Sequence, residues 1–145
     1  MAITTAMCNS FKQELLGGVH DLDTDTLKLA LIKASPVGTY GADTTNYSNV
    51  TANGDEAVGT NYTVGGQVLD NPTISLSSGV AFVDFDDEVF VNATIAADGA
   101  LIYNASKGNA AIAVFDFGGT VTSTSGDYTI VFPTADSANA VIRIS

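Results

Sequence analysis

A chain of 145 residues is long enough for one domain with a buried core and short for two. Hydrophobic residues make up 46% and charged residues 14%, which excludes a disordered chain, and no run approaches the roughly 20 apolar residues of a membrane-spanning helix. Sixteen acidic against five basic residues give a formal charge of −11, a surface that repels nucleic acid phosphates. The single Cys8 cannot form an internal disulfide, and the first residues lack the basic and apolar regions of a secretory signal. Both features lead us to expect synthesis and use in the cytoplasm.

Residues 1–8 are small and β-branched and are expected to form an N-terminal arm ahead of a β domain spanning 9–145. Asn9 or Ser10 then offers an N-cap, and Ser10 with Gln13 has the spacing of a capping box. The pattern predicts a helix over Ser10–Leu16, with Phe11, Leu15 and Leu16 inward and Gly17-Gly18 ending it. His20 with Asp21, Asp23 and Asp25 has the opening spacing of a calcium loop. Thr26 and Ile32 stand where that loop needs Gly and Glu, so the segment reads as a solvated turn and no metal is expected.

Thr26–Ala34 is the first clear strand, with Leu27, Leu29 and Leu31 on one face, and Pro36 ends it. From Val37 to Thr60 the chain is rich in Thr, Asn, Gly and Asp around the isolated Tyr40 and Tyr47. A weakly structured stretch of this length is expected to be an interaction element. Thr73–Ser77 and Val80–Phe85 read as a hairpin about Ser78-Gly79. Val80, Phe82, Val89 and Val91 are expected to face a core in alternation. Ala100–Tyr103 and Ala110–Phe117 form a second hairpin across Asn104–Asn109, its second strand apolar on both faces and therefore central. Gly118-Gly119 and Ser125-Gly126 mark breaks before a separate strand, Tyr128–Phe132, and a last strand follows at Ala140–Ile144. The recurrence of strands predicts an all-β fold, a β-sandwich or squat barrel of about seven to nine strands with one short N-terminal helix. Its expected core is Leu29, Leu31, Phe82, Leu101, Ile112, Val114, Ile130 and Phe132.

No residue pattern announces catalysis. The single His and single Cys lie near the N-terminus, and no Ser sits in a nucleophile turn. Asp84, Asp86, Asp87 and Glu88 form the one dense carboxylate cluster. Read as an extended strand, Asp84, Asp86 and Glu88 share a face that wants water, a cation or a partner's basic group. We therefore expect no catalytic residues, no cofactor and no metal.

Several segments carry a resemblance. Val83-Asp-Phe-Asp-Asp, Gly99-Ala-Leu-Ile-Tyr-Asn, Ala111-Ile-Ala-Val-Phe-Asp-Phe-Gly and Tyr128-Thr-Ile-Val-Phe-Pro, with Asn61-Tyr-Thr-Val-Gly-Gly and Cys8-Asn-Ser-Phe-Lys-Gln-Glu-Leu, run in order over nearly the whole chain. Together they resemble a family of small bacteriophage proteins encoded among virion-structure genes. The chain departs from that family at Phe90 and Asp98, where Trp and Arg are frequent, so an inter-subunit contact through that Arg does not carry over. The resemblance implies a non-enzymatic virion protein made in the host cytoplasm. The expected role is a capsid decoration or cement protein on the outside of the assembled shell, with a tail, neck or fibre-base component as the alternative. A carbohydrate-binding module is the alternative of another class. The expected partners are the major capsid protein (or a tail or neck protein) and further copies of the chain, such as a trimer, with neither nucleic acid nor membrane. Ile3, Thr4, Thr5, Tyr40, Tyr47, Asp84, Asp86 and Lys107 are the expected partner contacts.

Overall fold

A turn of six residues sets the longest element. The computed structural model, which describes residues Ala2–Ser145, folds Ala105–Lys107 into a single 3-10 turn between strands β6 (Glu88–Asn104) and β7 (Ala110–Ile130). Gly108 and Asn109 take left-handed φ values of 61° and 64°, and the Asn104 side chain accepts the Ser106 N–H at 3.0 Å. Glycine and asparagine adopt that conformation at low cost, so the chain reverses here and pairs Leu101 with Val114. The pairing continues to Glu88 opposite Ile130. The expected breaks therefore do not occur: Gly118-Gly119 and Ser125-Gly126 lie inside β7. From Gly99↔Asp116 to Ala97↔Val121 the second strand carries extra residues, so the glycines bulge outward and the ladder resumes.

Two antiparallel sheets result, with the strand order β1-β7-β6-β2-β3 in the larger and β4-β5-β8 in the smaller. Here β1 is Ala6–Met7, β2 Leu27–Lys33, β3 Gln67–Val68, β4 Thr73–Ser77, β5 Val80–Asp84 and β8 Ile142–Ile144. Strand makes up 47% of the chain and helix 11%, so the fold is all-β and sandwich-like, with eight strands. One buried cluster takes Leu29, Leu31, Leu101, Ile112 and Val114 from the larger sheet and Val83 and Ile142 from the smaller. Phe82 is buried as expected, but Ile130 and Phe132 are only half-buried, because β7 has no outer neighbour at that end. The alternation through Val89 and Val91 is also inverted. Glu88 and Phe90 point inward and Val91 outward, in the register that pairs Phe90 with Tyr128.

The described part of the 1–8 segment is not a free arm. Thr4 N–H donates to Tyr40 O and Tyr40 N–H to Ala2 O, both at 2.9 Å, and β1 pairs Ala6 with Val114. Helix α1 (Asn9–Leu16) starts two residues earlier than the capping-box reading requires. Cys8 is its N-cap without a side-chain bond, Ser10 Oγ is buried and unpaired, and the Ser10–Gln13 box does not form. Phe11 is buried, whereas Leu16 is 92% exposed and so lies outside the expected apolar face. Nor is the 37–60 stretch loosely structured. It contains helix α2 (Ser48–Ala52) and buries Tyr40, Val50, Asp55 and Ala57.

Leu101 is fully buried in β6, between β2 and β7. Leu101→Ala is expected to cost about 2–5 kcal/mol through lost burial and a residual cavity. Urea titration of both proteins measures this, and a loss below about 0.5 kcal/mol would contradict the packing.

Candidate functional site

The expected contact residues do not form one patch. Ile3 is half-buried, and Thr4 and Thr5 are exposed beside it. Thr5 Oγ1 accepts the Asp116 N–H at 3.0 Å. Tyr40 is buried and so cannot touch a partner in this state. Tyr47 stacks on Tyr103 with centroids 4.5 Å apart, and its main-chain N–H reaches Asn109 O, which brings it to the turn that carries Lys107. Lys107 is exposed and pairs with Asp25 at 3.7 Å. Asp84 and Asp86 lie elsewhere, at the β5–β6 connection. The proposed carboxylate row is absent there, because Asp84 closes β5 while Glu88 opens β6.

Two neighbouring carboxylates, missed in the sequence, turn out to organise the polar stretch. Asp55 is fully buried and accepts hydrogen bonds from Val37 N–H (2.9 Å), Gly38 N–H (2.7 Å) and the Tyr40 hydroxyl (2.6 Å), with Lys33 Nζ at 3.1 Å. Burial alone raises its pKa, but these four donors outweigh it and hold the carboxyl at about 2. Glu56 accepts from the Tyr47 and Tyr62 hydroxyls and from Gly65 N–H, while Tyr62 Oη accepts Leu31 N–H at 3.0 Å. Tyr40, Tyr47 and Tyr62 all titrate above their ordinary range, because burial disfavours the phenolate beside these carboxylates. The available signal was three tyrosines set in an otherwise polar segment, since a buried phenol requires a partner.

A second polar group joins α1, the start of β2 and the hairpin turn. His20 is buried beneath Phe11, with ring centroids 5.1 Å apart. Its Nδ1 lies 3.0 Å from Asn104 Nδ2, which also donates to Asp25 Oδ2 at 2.7 Å. Burial lowers the His20 pKa, with Glu14 and Asp25 pulling the other way. Among the described residues no group of three or more His, Cys, Asp or Glu side chains has a metal-holding arrangement.

Glu88 is the other buried acid, 5% exposed, with Oε1 lacking any partner. Burial and the nearby Asp70 and Asp86 carboxylates push its carboxyl up to about 7, against a partial offset from the Asp70 N–H. Cys8 is buried too, and desolvation raises its thiol to about 12, so it supplies no thiolate near neutral pH. Phe90 and Asp98 also find partners within the chain. Phe90 packs against Tyr62 and Tyr128, and Asp98 accepts Ser35 N–H and the Thr120 hydroxyl.

Two stability tests follow from these acids. Asp55→Ala strands Lys33 and three other donors and is expected to cost about 3–5 kcal/mol, read as a fall in denaturation midpoint. The wild-type contribution of Asp55 is present above its ordinary pKa of 3.8 and is lost as pH falls towards about 2. Glu88 behaves oppositely. Its folded pKa lies above the ordinary 4.5, so its contribution is greatest below 4.5 and declines as pH rises to about 7. Glu88→Gln should therefore remove that decline and leave the variant about 2–3 kcal/mol more stable than wild type at pH 8. Parallel melts at pH 5 and 8 that shift equally in both proteins would contradict it.

No family model, no curated protein and no solved structure matches this chain.

Proposed function

We propose that this chain is a non-enzymatic structural component of a bacteriophage virion, a decoration or cement protein that binds the outer surface of an assembled capsid as an oligomer. The observation that carries this reading is the outer half of β7. From Phe117 to Ile130 the strand has β6 on one side and no strand on the other, and most of its residues are exposed. It contains one charged residue, Asp127, and neither Lys nor Pro. Proteins commonly guard a free edge with such residues or with bulges; here Asp127 and the irregularities about Gly118-Gly119 and Ser125-Gly126 interrupt an otherwise uncharged edge, whose remaining length fits a strand that a neighbour covers. A subunit repeated by symmetry gains its attachment from many contacts of this kind.

The remaining chemistry supports a binding role over catalysis. The thiol and the imidazole are both buried, and neither faces the other's element with a nucleophile–base contact. A carbohydrate module is disfavoured on positive grounds. Of the five tyrosines and seven phenylalanines, eight are buried and Tyr47, Phe115, Phe117 and Phe132 are half-buried, which leaves little aromatic face to stack on a sugar ring.

Purified protein is expected to co-sediment with expanded, genome-free shells. Val121→Lys, at a half-exposed position on the free edge, should weaken attachment at least about tenfold while leaving the melting temperature nearly unchanged. Sedimentation with tails or necks but not with shells would move the protein to that part of the virion. Failure to sediment with any of them would refute the reading.

A further inference from the structure

Between the β1–β7 side of the larger sheet and β8 of the smaller lies a cavity of about 650 Å³, within the range of small-molecule sites. One wall comes from the β1–β7 pairing, in which Met7 opposes Ala113 and so shares its face, with Phe115 two residues on. The other comes from Val80 in β5 and from Pro133, Ala140 and Val141. Both walls are apolar, so the space between them suits a hydrocarbon chain.

The charged side chains of the cavity are both basic. Lys12 of α1 and Arg143 of β8 line it, and no acidic side chain does. The chain has five basic residues against sixteen acidic ones, so two of the five at one cavity concentrate the scarcer charge. Arg143 opposes Phe82, which puts it on the face of the smaller sheet away from Ile142 and Ile144. Its Nη1 makes one long contact, 3.4 Å to Ser137 O, and Lys12 Nζ likewise lies 3.4 Å from Asn9 Oδ1. Every ion pair among the described residues belongs to His20, Lys33 or Lys107, so both cations are unpaired. The acids beside them are engaged elsewhere. Asp43 accepts from Asn9 Nδ2 at 3.1 Å, and Asp136 accepts the Ala138 and Asn139 N–H groups, both at 2.7 Å. A guanidinium and an ammonium with unused donors, set beside apolar walls, recognise an anion that carries a hydrocarbon body.

We propose that this cavity binds a straight-chain aliphatic carboxylate. The chain lies against Met7, Phe115 and Val141, and the carboxylate meets Arg143 and Lys12. The planar fork of Arg143 matches the two carboxylate oxygens, while Lys12 adds a second positive charge. The site does not rest on the virion reading, and its ligand is tested on the isolated protein.

The test is NMR titration of the isotope-labelled protein with hexanoate, octanoate and decanoate, alongside octanol and acetate. At least one of the three long carboxylates is expected to bind more tightly than about 1 mM, with the largest shifts at Met7, Ala113 and Val141. Octanol lacks the charge and acetate the chain, and each should bind at least about tenfold more weakly. Arg143→Gln and Lys12→Gln, both at exposed positions, should each weaken binding at least about fivefold and leave the melting temperature nearly unchanged. Lys107→Gln removes a cation that does not line the cavity and should leave binding as it is. Four results overturn the proposal: no saturable binding by any of the three carboxylates, octanol or acetate binding as tightly, undiminished affinity in either cavity variant, or an equal fall with Lys107→Gln. Shifts centred elsewhere on the protein overturn it as well.

Discussion

Asp55 and Glu56 hold the long polar stretch onto the sheet. A segment with so many Thr, Asn and Gly residues cannot bury enough apolar area to fix its own course. The two carboxylates supply what the hydrophobic effect does not. Being adjacent, they diverge: Asp55 gathers the 37–40 backbone and Lys33, and Glu56 gathers Tyr47, Tyr62 and Gly65. Main-chain bonds from Lys33 N–H to Asp55 O and from Ala57 N–H to Leu31 O then run beside β2 as a strand would. Past this pairing, two glycines permit equally close backbone approaches, one to β2 and one to β6. A Cβ at Gly66 would lie 1.7 Å from Leu29 O, and one at Gly59 would lie 1.9 Å from Thr94 O.

Much of the β framework was legible because its signals are local. Ser78-Gly79, with left-handed φ at both residues, determines the β4–β5 register as read, and the Asn104–Asn109 turn does the same for the long hairpin. The two-faced burial of the first part of β7 followed from its near-continuous apolar run. What failed were inferences requiring long-range pairing. Glycine pairs that end a strand and those that bulge within one look alike in sequence, and β6 decides between them. The same holds for Val91, whose side depends on an irregularity between Phe90 and Ala93.

The site readings failed for a related reason. In sequence alone His20, Glu88 and Asn104 read as turn or solvated positions and Asp55 carries no signal, yet all four are buried. Glu88 stands next to Asp86 and Asp87, which are exposed, and nothing in that local pattern distinguishes the inward carboxyl from the outward pair. The difference arises from β7 pairing across it at Ile130. Likewise the 1–8 segment reads as an arm only until β7 is present to receive it. Free edges, conversely, are invisible until the whole strand order is known, and here they include the outer half of β7 as well as β3, β4 and β8.

Cys8 lies at the junction where the N-terminal segment meets the sheet. Its N–H donates to Ile112 O at 2.9 Å, its Sγ points to Gly41 O at 3.8 Å, and no part of it reaches solvent. An alkylating reagent therefore reacts only after this seam opens. Because the chain has no other thiol, labelling reports on this opening alone. The rate of labelling is thus a built-in gauge of how readily the N-terminal edge detaches, and covering that edge with a neighbour would slow it without any change to the thiol itself.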